Sequence, residues 1–230
     1  MARLYLFAEG QTEQTFADTT LKQHLALHGT YLQNAVLIAH ARKKGRVHRG
    51  GGRNYAAIRK DIRRFTKQDR HPNAFFTTMI DLYAIPSEFP GLSEAESYRI
   101  DPIKRVAHLE SSFKADIADT RFIPFIQLHE FEAYLFCGPE GFRQFYTRCE
   151  VQIARLKAVG DGYATPEMID DNSATCPSRR ICREFPDYED AKPTIGPQVA
   201  NWIGVSAIRS KCPHFDQWLT QLETLSGRAC

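Results

Sequence analysis

The chain has 230 residues, of which 43% are apolar, 11% aromatic and 25% charged, proportions that exclude collagen-like, low-complexity and wholly disordered proteins. No apolar run approaches the roughly 18 residues of a membrane span, and the opening MARLYLFAEG reaches Glu9 too soon for a signal peptide, so a cytoplasmic location is expected. The net charge of +3 hides an asymmetry: residues 42–70 hold twelve basic residues against Asp61 and Asp69, a net +10, and leave 18 basic and 25 acidic residues elsewhere.

In chain order, RLYLFA (3–8) reads as a buried strand closed by the polar turn Glu9-Gly10-Gln11-Thr12. Phe16, Leu21, Leu25 and Leu27 fall near helical spacing until Gly29 stops the pattern. AVLIAHA (35–41) predicts a second strand, followed by the basic, glycine-rich KKGRVHRGGGRN. Tyr55, Ile58, Ile62 and Phe65 mark the apolar face of a helix whose other faces carry Arg59, Lys60, Arg63, Arg64 and Lys67. AFFTTMI (74–80) predicts a third strand ending at Asp81. Residues 86–102, rich in proline, glycine and serine, predict a loop, and Val106, Leu109, Phe113 and Ile117 a helix.

FIPFIQL (122–128) predicts a fourth strand, with Pro124 placing it at an edge or bulge, and FEAYLF starts a helix. Beyond Pro139 strand signals fade, and helices are expected over 140–159, 178–185, 198–203, 205–211 and 215–225. Alternating strands and helices imply an α/β fold with roughly four mainly parallel strands and right-handed crossovers. The expected organisation is an α/β domain over 1–137 and a helical extension over 138–230 packed on it. The six cysteines show no C-x-x-C pair and no zinc spacing; reduced thiols are expected rather than a zinc site of Cys176, Cys182, Cys212 and His214.

Ligands of open parallel sheets bind outside the carboxyl ends of the strands. Acids stand at those ends: Glu9 and Glu13 after the first strand, Asp81 after the third, Glu130 and Glu132 after the fourth. Clustered carboxylates repel unless protons, arginines or a hard divalent cation relieve them, and Mg2+ or Mn2+ takes such oxygens. Glu9, Asp81, Glu130 and Glu132 are therefore candidate metal ligands. Glu13 is a candidate general base, and Glu130 a further catalytic candidate. His129 is read as a ligand, an acid or a strand-end residue bonded to backbone. Beside them, Arg42, Lys43, Lys44, Arg46, Arg49, Arg53, Arg59 and Arg63 form a basic block suited to a phosphate backbone.

EGQTE (9–13), MIDLY (79–83) and IQLHEFEAYLF (126–136), with PSRR (177–180) and CPHFDQWL (212–219), resemble the family of domains of unknown function numbered 4276, a Toprim-like family. The EG-x-T-E element is also similar to the opening motif of overcoming-lysogenization-defect nucleases. The resemblance implies a Toprim/Rossmann-like sheet with a magnesium-dependent site, in which Glu9 matches the first Toprim glutamate and Asp81 the first aspartate of the D-x-D motif. It implies a role in prokaryotic defence against phage with an ABC- or AAA-type ATPase partner. In this sequence Tyr83 stands where the second acid of D-x-D belongs. The expectation is a metal-dependent nuclease acting on DNA or RNA. The alternative is a catalytically silent Toprim-like module that binds nucleic acid or a partner. Assembly into a homo-oligomer is left open.

Overall fold

Strand β1 (Ala2–Ala8) is the spine of the sheet. Its side chains alternate: Leu4, Leu6 and Ala8 enter one core, while Phe7, with Tyr5 beside it, enters the other. A computed structural model of the chain describes residues 1–38, 54–169, 172 and 174–228. β1 pairs along its length with β4 (Ala74–Asp81), from Arg3 opposite Ala74 to Ala8 opposite Met79. Its other edge holds two short pieces in one lane, β2 (Thr30–Leu32) and β3 (Val36–Leu37). β5 (Phe122–Ile123) and β6 (Ile126–Gln127) likewise share the lane beyond β4. All of these pairings are parallel.

The lanes number the expected four, but two are broken. The fourth parts at Pro124, which has no N–H for the ladder. The Thr78 hydroxyl fills the gap, accepting the Phe125 N–H at 2.9 Å and donating to the Phe125 carbonyl at 3.0 Å. The second begins at Thr30, earlier than AVLIAHA suggests, and its described part ends at Leu37. A three-residue strand of sequence TYL is too short for a periodicity to register.

Helix α1 (Gln11–Phe16) continues through a π-helical turn, Ala17–Leu21, into α2 (Lys22–Ala26). α3 (Tyr55–Gln68) starts on the Asn54 side chain, which accepts the Ala56 N–H at 2.8 Å. The expected loop at 86–102 contains a short helical run, α4 (Leu92–Ala95) continued by a 3-10 turn, Glu96–Tyr98. α5 (Pro102–Ile117) is capped by Asp101, with proline in its first turn. FEAYLF is helical as expected but of 3-10 type, over Phe131–Cys137.

The remainder is helical: α6 (Glu150–Asp161), α7 (Pro177–Glu184), α8 (Tyr188–Ile203), α9 (Val205–Lys211) and α10 (Pro213–Glu223). α8 begins ten residues before the expected Gln198 because it runs through Pro193 and Pro197, residues that usually end a helix. Gly196 lets α8 approach α1, since a Cβ there would lie 2.9 Å from the Tyr188 hydroxyl and 3.4 Å from Thr12 Cγ2.

Three layers result. α3 and α5 cover one sheet face through Ile58, Ile62, Val106, Leu109 and Phe113. α1 and the C-terminal helices cover the other, where Trp218 stacks on Phe125 at 4.2 Å and donates its indole N–H to the buried Thr77 hydroxyl at 2.9 Å. The described cysteines are all free thiols. Cys212 lies 3.4 Å from Cys137, sulfur to sulfur, and His214 Nε2 lies 3.0 Å from the Ile126 carbonyl, so neither belongs to a zinc site with Cys176 and Cys182.

Candidate metal centre

The parallel register brings the acids to one edge. Ala8 is level with Met79, and Asp81 with Gln127, so the residues following β1, β4 and β6 emerge together. All five carboxylates expected there are buried, between 5% and 7% exposed. Glu9 leaves the sheet just after its N–H bonds the Met79 carbonyl, and its Oε2 accepts the Asp81 N–H at 2.7 Å. Glu13 lies in the first turn of α1 and folds back to accept the Gly10 N–H at 3.0 Å. Asp81, the last residue of β4, accepts a hydrogen bond from the Gln127 amide. Glu130 accepts both the Ser178 N–H, at 2.8 Å, and the Ser178 hydroxyl, at 3.1 Å. Glu132 faces the Tyr188 hydroxyl at 3.4 Å.

The electrostatics record the crowding. Burial raises the Asp81 carboxyl well above the usual range, and the negative charges of Glu9, Glu13, Glu130 and Glu132 raise it further, Glu9 most. Burial also pushes Glu132 up to about 8, helped by Glu130 and Glu13 and opposed by Lys192. Lys192 is in turn held above its ordinary value by Glu132 and Glu189 despite its burial. Burial and crowding thus favour protonation of this cluster when no other cation is present.

The donor set consists of carboxylate oxygens, the ligands that Mg2+ and Mn2+ prefer. Among the described residues, no three of these carboxylates place ligand atoms within 4.8 Å of one another. Each is tethered by its own hydrogen bond. An ion held here would therefore take only one or two of these carboxylates and keep waters for the rest, as Mg2+ can. Glu9 and Asp81 are linked through the Asp81 N–H.

Sequence patterns did not single out Gln127, Tyr188 and Lys192, which close the site. Lys192 lies in YEDAKP, which reads as a charged surface turn before a proline. Gln127, 2% exposed, was legible only as an unexplained polar residue in an apolar strand. Tyr83, in the place of a second acid, is 58% exposed. His129 is buried at the same edge.

Of the basic block, Arg42, Lys43, Lys44, Arg46, Arg49 and Arg53 lie outside the described residues. Arg59 and Arg63 have partners within the fold. Arg59 Nε pairs with Asp116 Oδ2 at 2.7 Å, and Arg63 donates to the Asp116 carbonyl at 2.6 Å, docking α3 on α5. With Lys60, Arg64 and Lys67 they line an open groove along α3. Lys60, Arg64, Lys67 and Arg70 are exposed.

Residues 8–223 match DUF4276, a domain of unknown function, and so span nearly all of the sequence. The chain belongs to the DUF4276 family. No curated protein matches it. Among solved structures, it is similar to the C-terminal region of the Burkholderia pseudomallei OLD protein, with TM-score 0.45 and 13% identity over 97% of this chain and 99% of that one.

Proposed function

We propose that this DUF4276 protein is a metal-dependent phosphodiesterase acting on DNA or RNA. The observation that carries the reading is the burial of five carboxylates at the carboxyl edge of a parallel sheet, with Asp81 and Glu132 raised first by that burial and then by the charges of their acidic neighbours. Such a cluster costs stability unless a cation occupies it, and the chemistry of hard divalent ions is the chemistry of phosphoryl oxygens. Glu9 and Asp81 hold the ion, Mg2+ or Mn2+, with Glu130 and Glu132 available behind them. The ion, when bound, neutralises charge on phosphoryl oxygens and acidifies water.

This chain's own residues do the rest. Gln127 fixes the Asp81 carboxylate, Ser178 fixes Glu130, and Lys192 balances Glu132. Glu13 acts as the base that accepts the proton of an attacking water. The groove along α3 holds phosphates without reading bases, so binding is salt-dependent and sequence-tolerant. No described helix is long and apolar enough to cross a membrane. A role in phage defence with an ATPase partner is implied by the Toprim resemblance and forms part of the proposal, as does a cytoplasmic location.

The test is cleavage of plasmid DNA and of single-stranded RNA in Mg2+ or Mn2+, with chelator as control. Glu9→Ala and Asp81→Ala should each abolish cleavage while leaving nucleic-acid binding intact. Cleavage retained by both variants removes the proposal. A second reading, a silent binding module, is favoured by the exposed Tyr83 in the second acid's place and by the lack of convergence of the five carboxylates. It predicts binding that persists in chelator and no saturable Mg2+ uptake by calorimetry.

A further inference from the structure

A second group of ligating side chains lies far from the acids. His24 lies in α2 and His28, four residues on, in the turn that closes it, where the chain keeps both imidazoles side by side. Glu223, the last residue of α10, reaches between them. Its Oε1 is 2.6 Å from His24 Nε2 and 3.6 Å from His28 Nε2, and the rings lie 5.1 Å apart. The ligand atoms all lie within 4.8 Å of one another.

We propose that His24, His28 and Glu223 form a site for one borderline divalent transition-metal ion of the Zn2+ class. Zn–N and Zn–O bonds of about 2.0–2.2 Å set tetrahedral edges of roughly 3.3–3.5 Å. The observed 2.6 and 3.6 Å bracket that edge, so side-chain adjustment alone admits the ion. Two imidazoles with one carboxylate select Zn2+ over Mg2+, which prefers oxygen. His24 and His28 coordinate as neutral imidazoles, and the proton that His24 shares with Glu223 leaves to solvent as the nitrogen lone pair turns to the metal. The His28 side chain, 41% exposed, leaves an entry path and room for water as fourth ligand.

Arg209 also contacts Glu223 Oε1, at 2.5 Å, but holds Asp216 and Thr220 besides, so it keeps its place when the carboxylate turns to a metal. The surroundings are already docked. The Thr30 hydroxyl donates to the Leu222 carbonyl at 2.9 Å, and the Ser226 hydroxyl to that of His28 at 2.8 Å.

The site is separate from the acidic cluster. α1 leaves β1 at the carboxyl edge and the chain returns along the sheet, so that Gly29 bonds the Ala2 N–H at the opposite edge. A seven-residue strand puts roughly 20 Å between the two edges. An ion here ties α2 to the end of α10, residues 199 apart in sequence, and acts as a clip between the helix that follows β1 and the C-terminal helices.

The experiment uses the full chain, free of affinity tag and stripped with chelator, with Zn2+ alone as probe in competition with a chromophoric chelator. One equivalent should bind in wild type and also in Glu9→Ala/Asp81→Ala, which separates this site from the acidic one. His28→Ala keeps the His24–Glu223–Arg209 contacts and should fold as wild type does in chelator. It should weaken Zn2+ binding by more than the roughly 10–100-fold that an outer-shell change costs, and His24→Ala should do the same. At a hundredfold excess over Kd, Zn2+ should raise Tm by roughly 5–10 °C in wild type and not in His28→Ala. No Zn2+ uptake by wild type, or uptake unchanged in both histidine variants, overturns the proposal.

Discussion

Glu132 shows at the scale of one side chain what the acidic edge costs. Burial, helped by Glu130 and Glu13, pushes its carboxyl up to about 8 in the folded chain, whereas an unfolded glutamate titrates near 4.3. Between those values the folded state holds the proton and the unfolded state does not, so stability falls as pH rises from about 4 to about 8 and is flat above. Asp81, raised first by burial and then by Glu9 and the other acids, adds to that slope. Glu132→Gln removes the penalty. In chelator its Tm should exceed wild type by several degrees at pH 8 and by much less at pH 5, a difference that thermal melts at the two pH values will read. An equal difference at both would mean that Glu132 is ionised in the native state throughout. The acids themselves were legible in the sequence because three apolar strands each run into carboxylates. Lys192 was not, because its role depends on Glu132, sixty residues earlier, and nothing local distinguishes it from a solvated lysine.

Helix α3 separates two uses of one basic sequence. Its apolar stripe of Tyr55, Ile58 and Ile62 was read directly from spacing. Its arginines looked alike until α5 came against them. Asp116 gathers the Tyr55 hydroxyl at 2.5 Å and Arg59 at 2.7 Å, so part of the positive charge serves docking. Asp116→Ala leaves the half-buried Tyr55 hydroxyl without that partner and should cost about 1–2 kcal/mol in urea unfolding. The exposed pair Lys60→Ala/Lys67→Ala should leave stability unchanged within about 0.5 kcal/mol. It should lower the slope of log K against log salt for nucleic-acid binding by roughly one per lysine. An unchanged salt slope would move the phosphate-binding surface off this helix. α8 teaches the converse lesson. Prolines at 193 and 197 argue against a helix from local chemistry, yet packing of Gly196 against α1 and Tyr188 within the core holds one over sixteen residues.

At the scale of the molecule, the C-terminal helices complete both the core and the acidic edge. They cover the sheet face bearing Leu4, Leu6, Met79 and Phe125, and they bring Ser178, Tyr188 and Lys192 to the acids. A fragment ending at residue 137 would expose that face to water, at about 25 cal/mol for each Å² of apolar surface. It should fail to give a cooperative thermal transition by circular dichroism; a sharp transition would mean that the first 137 residues fold alone. The α/β class, the four parallel lanes and the acids at their ends were fixed by the sequence itself, because strand alternation and chain direction are local properties that a parallel sheet converts into a shared edge. Which acids are tethered by Gln127, Ser178 and Tyr188, which arginines are spent on Asp116, and the meeting of His24 and His28 with Glu223 were decided only by the tertiary structure. Those contacts join residues from 46 to 199 positions apart, and their energies arise only once packing has excluded water around them.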